Sequence, residues 1–185
     1  MLANEVNLLE RDLPGSADLV RDQLRSLRER VEQLSDDLRR AAHQLHPSSL
    51  EHFGLVAALK SHCPDFSKLY PIRLRFTHRR VPASIPFDVS LCLYRVAQEC
   101  LHNVAKHSGA KEATLALRGE KGGLLLSVTD KGGGFDPELV ADQSGLGIVG
   151  IRERVRLVGG SVSIHSRPGH GAVIDVRVPL SRTAQ

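Results

Sequence analysis

The chain contains no tryptophan, and tyrosine and phenylalanine together bring its aromatic content to only 4% of 185 residues. That leaves no stripe of rings interleaved with basic side chains, the usual surface for stacking on nucleic-acid bases. A net charge of +4 and a pI near 9.2 would permit a nucleic-acid partner. The arginines are scattered, however, and read as solvated helix faces, so no direct nucleic-acid contact is expected. Cysteine is scarce and odd in number: Cys63, Cys92 and Cys100 have no CxxC spacing. They read as reduced core residues, not as a disulfide framework or a metal site. No apolar run approaches the ~20 residues of a membrane span. The N-terminus shows no basic stretch leading into an apolar core and a cleavage site. The fragment is therefore expected to be cytoplasmic, with membrane attachment only through regions outside it.

What is present is ordinary for a globular protein, with 41% hydrophobic and 25% charged residues, enough for one core and a small appendage. The appendage comes first. Leu2, Val6, Leu9 and Leu13 are spaced 4, 3, 4, and Pro14-Gly15-Ser16 breaks the run. Val20, Leu24, Leu27, Val31, Leu34, Leu38, Ala41 and Leu45 then continue a 4, 3 alternation as a regular heptad seam. Two seamed helices across a tight turn make a hairpin that cannot bury its seam alone. Either it packs on the rest of the chain or two hairpins form a four-helix bundle; the regular heptads favour a homodimer. The first helix has no cap before Leu2, which suggests a helix cut at its N-terminal end. His46-Pro47 stops the second helix. The predicted division is 1–48 for the hairpin and 49–185 for a C-terminal domain.

In the C-terminal domain a short helix is expected between Leu50 and Leu69, with Leu55, Ala58 and Leu59 inward. Ile72 to Phe76 alternates as a strand. Strands at Thr114–Arg118 and Leu124–Thr129 flank Lys121-Gly122-Gly123, a hairpin signal. A helix runs from the Gly145 region to Val158, and two closing strands, Ser161–Ser166 and Ala172–Val178, follow. There is no internal repeat and no low-complexity segment.

The central run extends from Tyr94 to His107. At 100° per residue, Val89, Leu93, Val96, Cys100 and Val104 share one apolar stripe. Arg95, Glu99, His102, Asn103 and Lys106 lie opposite. Glu99 and Asn103 are four apart and stack on adjacent turns, where a carboxylate and an amide together could hold a hydrated metal ion. On this run alone an ordinary amphipathic helix is the stronger reading. Two glycine-rich segments change that. Asp130 ends a strand and is followed by Gly132, Gly133 and Gly134, where missing side chains let a flat ligand approach and the carboxylate can accept from an exocyclic amine. Alone this is a weak signal, equally readable as a hairpin-like turn. Gly145-x-Gly147-x-x-Gly150 opens a helix whose free N–H groups can cradle phosphate. A polar loop, not a strand, precedes it, which counts against a dinucleotide-binding βαβ unit.

Taken in order, these three elements resemble the GHKL ATPases, and within them the catalytic core of bacterial two-component sensor histidine kinases. The likeness is to the subgroup partnered by response regulators with helix-turn-helix output domains. Tyr94-Arg95-Val96-Ala97-Gln98-Glu99 through Asn103 and His107 resembles that family's N box. Asp130-Lys131-Gly132-Gly133-Gly134-Phe135 resembles its first glycine box, Gly145 to Arg154 its second, and Pro168-Gly169-His170-Gly171 the turn before its last strand. The resemblance implies a two-layer α/β sandwich, a mixed sheet faced by helices, behind a dimerisation hairpin. It implies ATP and Mg²⁺ as ligands, with Asn103 coordinating the metal and Glu99 as the catalytic carboxylate that polarises the phosphoacceptor or a water. Lys106 and His107 would lie near phosphate, and Asp130 would read the adenine amine with Gly132 and Gly134 giving room for the ring. Gly145, Leu146 and Gly147 would shape the phosphate loop below a lid around residues 136–144.

Two substitutions depart from the family pattern. Lys131 stands where Asp or Asn is frequent, and Ala172 where Thr is common, removing a contact worth roughly 0.5–1.5 kcal/mol. The phosphoacceptor pair, His-Asp or His-Glu on the first dimerisation helix, is absent between Leu2 and Leu13. His43-Gln44 and His46-Pro47 read as solvated or junction-packing histidines. The fragment is thus expected to bind ATP and dimerise without phosphorylating itself, its acceptor lying upstream. Two other readings stay open. One is a nucleotide-binding interaction module with a degenerate site. The other is a serine kinase of the anti-sigma-factor type, against which the heptad hairpin argues.

Overall fold

The computed structural model describes residues 48–137 and 146–180. The chain divides after Pro47. The hairpin, the position of the acceptor, Gly145 and most of the expected lid therefore lie outside the described residues.

The first described helix, α1 (Ser48–Leu69), is two helical pieces joined at Gly54, whose φ of +76° only glycine adopts without strain. Beyond that joint Leu55, Leu59, Cys63 and Phe66 repeat at helical spacing and are all buried. Ala58 is buried beside them, as the sequence predicts. Strand β1 (Arg73–Arg79) starts one residue later than expected and runs three further. Helix α2 (Phe87–Asn103) begins after Pro86, with Asp88 in its first turn where the helix dipole favours a negative charge. It passes without a break into a π-helical turn at Val104–Ser108, closed by Gly109 in the left-handed region. Sequence periodicity reads this whole run as α-helix, so the wide turn is a difference.

Strands β2 (Glu112–Glu120) and β3 (Gly123–Asp130) form the expected hairpin around Gly122, at φ +79°. Helix α3 (Leu146–Leu157) follows. Gly159 N–H donates to the Arg156 carbonyl and Gly160 N–H to that of Val155, with Gly159 at φ +70°, which is how a Schellman cap ends a helix. Strands β4 (Ser161–Ser166) and β5 (Ala172–Pro179) complete a five-stranded sheet of order β1-β2-β3-β5-β4. Only the β1–β2 pair is parallel. The helices pack against one face, so the C-terminal domain is the two-layer α/β sandwich with a mixed sheet that the resemblance implied.

Period-two alternation puts one side chain of each pair in the core. Leu115 and Leu117 on β2, Leu124, Leu126 and Val128 on β3, and Ile174, Val176 and Val178 on β5 are all buried. The stripe on α2 is buried as predicted, but so are Tyr94, Ala97 and Leu101 outside it. α2 contacts both α1 and α3 as well as the sheet, so its buried arc is wider than one stripe.

Candidate functional site

The buried face of β3 runs Leu124, Leu126, Val128 and then Asp130. A carboxylate thus takes the place where the alternation calls for another apolar side chain. At 8% exposure, Asp130 is the one charged side chain buried among the described residues. Burying a charge is costly unless something pairs with it. Its Oδ1 accepts the Gly132 N–H at 2.8 Å, leaving further lone pairs free to accept. Asp130 borders a cleft of about 240 Å³.

One group of residues walling the cleft comes from the sheet and the glycine loop: Asp130, Gly134, Phe135, Ala172 and Ile174. Asp130 and Ala172 are partners in the β3–β5 register, and Ala172 is itself buried, so no hydroxyl accompanies the carboxylate there. A second group comes from α2, its π-helical turn and the start of α3: Asn103, His107, Ser108 and Gly147. Glu99 stands behind this second group. A Cβ on Gly147 would meet Glu99 Oε1 at 2.5 Å and Asn103 Nδ2 at 3.3 Å. The first turn of α3, with its free N–H groups, therefore lies directly over the Glu99/Asn103 pair.

Of the expected site residues, Asn103, His107, Asp130, Gly134 and Gly147 meet on this one cleft. Lys106 is exposed and takes no part in its walls. Leu146 is the first residue of α3, and Gly145 lies outside the described residues. Gly132 answers to the protein itself: a Cβ there would run into the Ser108 carbonyl, which also accepts the Gly133 N–H at 2.7 Å. Gly134, at φ +60°, brings its bare Cα against the Arg167 and Gly171 carbonyls.

Cys100, Val104 and Ser108 also line the cleft, though sequence reasoning gave them no role there. The first two fell in the apolar stripe, and a residue at the edge of a stripe serves core and cleft alike. Burial pushes the Cys100 thiol up to about 12, helped by the Glu99 charge, so it presents a neutral surface. Ser108 Oγ donates to the Val104 carbonyl at 2.7 Å and accepts the Ala110 N–H at 3.0 Å, closing the π-helical turn. Beyond the cleft, burial and then the charge of Arg154 lower the pKa of Arg95.

Among the described residues no cluster of three or more His, Cys, Asp or Glu could hold a metal ion. Mg²⁺ takes one or two protein oxygens and fills its remaining positions with water and phosphate. The Asn103 side-chain oxygen is a donor of the right hardness.

Residues 88–182 match the family described as histidine kinase-, DNA gyrase B- and HSP90-like ATPases. The chain belongs to that family. Solved structures similar to this ATPase include the histidine kinase domain of the blue-light-activated histidine kinase EL346 from Erythrobacter litoralis. The identity is 17% and the TM-score 0.65, over 98% of this chain and 93% of that one. A longer EL346 structure matches at 20% identity and TM-score 0.58, this chain spanning 60% of it. The ATP-binding domain of PrrB from Mycobacterium tuberculosis matches at 23% identity and TM-score 0.53, over 65% of this chain and 90% of that one. At such identities the likeness carries the fold of the ATPase and nothing finer. No helix among the described residues is long and apolar enough to cross a membrane.

Proposed function

We propose that this chain is the ATP-binding catalytic core of a sensor histidine kinase. It would pass the γ-phosphoryl group to a histidine and thence to a response regulator. The observation that carries this reading is the buried Asp130 carboxylate at one side of the cleft, with Asn103 and the start of α3 at the other. A carboxylate with unused lone pairs can accept from the 6-amino group of adenine, where guanine carries an oxygen acceptor instead.

The other end suits a triphosphate. The N–H groups at the start of α3 favour anionic oxygens. Asn103 would hold Mg²⁺, which neutralises phosphate charge when bound. Glu99, one turn before Asn103, would polarise an acceptor imidazole or a water. Residues 1–48 would supply the dimerisation hairpin and residues 49–185 the catalytic domain, giving a homodimer. The response regulator would carry a helix-turn-helix output domain.

Calorimetric titration with ATP, ADP and GTP, with and without Mg²⁺, tests the reading. Binding that prefers adenine and strengthens with Mg²⁺ is expected. Equal affinity for GTP, or no binding at all, would leave a degenerate interaction module as the better account.

A further inference from the structure

Ser166 wires together the two loops that flank the Asp130 side of the cleft, yet it touches none of the cleft itself. It is the last residue of β4 and pairs in register with Ala172, which pairs in turn with Asp130. The three form one row across β4, β5 and β3. Asp130 and Ala172 wall the cleft; Ser166 is one strand further out. Its Oγ accepts the Phe135 N–H at 2.9 Å and donates to the Gly171 carbonyl at 2.9 Å. Phe135 is the cleft residue that follows the glycine loop, and Gly171 is the residue before Ala172. A single hydroxyl thus ties the end of the glycine loop to the residue that precedes Ala172.

The neighbouring contacts between the two loops are made by backbone. Gly169 N–H donates to the Gly133 carbonyl at 2.5 Å, and Gly134 packs its bare Cα on the Arg167 and Gly171 carbonyls. Those contacts survive any change of side chain at residue 166. So does the Asp130–Gly132 bond, which holds the carboxylate. What a missing hydroxyl removes is the tether on Phe135 and on Gly171, leaving a backbone donor and an acceptor unpaired beside the cleft.

We propose that Ser166 is a positioning residue for base selection, holding the Phe135 wall at the distance from Asp130 that a purine with an amine at its 6-position requires. This rests on the nucleotide reading given above. The phosphate side, built from Asn103 and α3, is independent of it, so loss of the hydroxyl acts on the base and not on the triphosphate.

The test is titration of the full 185-residue chain and its Ser166→Ala, Ser166→Val and Ser166→Thr variants with adenosine, ATP and GTP. Thr and Val have nearly the same shape and differ in the hydroxyl, and both favour a strand, so β4 is retained. The Ala and Val variants should lose about tenfold in affinity for adenosine and ATP alike, with GTP little changed. The ATP-over-GTP preference then falls about tenfold, while Thr stays within about twofold of the parent. An unchanged preference in the Ala and Val variants would overturn the proposal, whether their affinities are parental or fall equally for both nucleotides. So would a Thr variant that behaves like Val, or a Val variant that cannot fold, since either makes residue 166 merely structural. A parent chain that binds neither adenosine nor ATP is a different result, and it removes the nucleotide reading instead.

Discussion

Gly147 faces Glu99 so closely that a methyl group on its Cα would sit 2.5 Å from the Glu99 carboxylate oxygen. The same methyl would lie 3.3 Å from Asn103 Nδ2. The glycine is therefore what lets the first turn of α3 rest on the carboxylate–amide pair of α2. Its role at this contact is to be small, since Gly147 lies within a helix and shows no left-handed φ.

Gly147→Ala separates site from fold. Alanine is the better helix former by about 1 kcal/mol, and the atoms it displaces are the ends of flexible side chains. The thermal midpoint should hold or rise. Glu99 and Asn103 must turn aside, so Mg²⁺-dependent ATP affinity should drop by about tenfold or more. Calorimetry and thermal unfolding on the same preparation check both halves. A variant that binds Mg-ATP as the parent does would mean that this contact has no part in the nucleotide site.

Asn103→Ala should abolish the Mg²⁺-dependent part of ATP binding and leave the fold intact, because the amide is half-buried on the cleft wall and not in the core. The sharper readout is the difference between titrations in Mg²⁺ and in chelator. The parent should gain affinity from the metal, whereas the variant should bind with the same weak affinity in both. If the metal strengthens the variant as much as the parent, another residue holds it.

Asp130→Ala should act on the other half of the ligand. It removes the acceptor for the base amine and also frees the Gly132 N–H, which Oδ1 accepts at 2.8 Å. Adenosine and ATP should both weaken by about tenfold or more, and the preference over GTP should disappear. Loss for ATP with adenosine unaffected would place Asp130 at the phosphates and contradict the orientation proposed for the ligand.

Much of the catalytic domain was legible because alternation and helical spacing are local. The hairpin of β2 and β3, the burial of Leu55, Ala58 and Leu59, and the stripe on α2 all follow from that pattern. What sequence could not supply came from partners distant along the chain. The resemblance gives Gly132 and Gly134 as room for the ring; Gly134 lines the cleft, and the bare Cα atoms of both also meet carbonyls of Ser108, Arg167 and Gly171. The resemblance gives both Lys106 and His107 as phosphate neighbours; of the two, His107 lines the cleft and Lys106 stands exposed beside it. The π-helical turn at Val104–Ser108 leaves no mark in residue type, because it differs from α-helix in which carbonyl each N–H selects. Ser166 gave no signal at all, its partners being backbone groups on two separate loops.

The three thiols give the fold an alkaline limit. Burial raises Cys63 from its ordinary 9.0 to about 11. Cys92 also rises to about 11, mainly by burial, with the Arg154 charge pulling it down and Asp88 pushing it up. Cys100 reaches about 12. A thiol whose pKa is raised by folding stays protonated in the folded chain while the unfolded chain ionises, so the unfolded state binds fewer protons at high pH. Stability from this source is fully present below about pH 9 and is lost as the pH climbs through the folded values. The thermal midpoint should therefore be nearly level up to pH 9 and fall steadily above it. Cys63→Ala should make that fall shallower by close to one proton's worth, whatever it does to the midpoint at neutral pH. The folded chain should also resist a thiol-reactive disulfide reagent at pH 8 until denaturant is added. Prompt reaction of all three thiols in the native chain, or an alkaline slope untouched by removing Cys63, would show that burial does not set their ionisation.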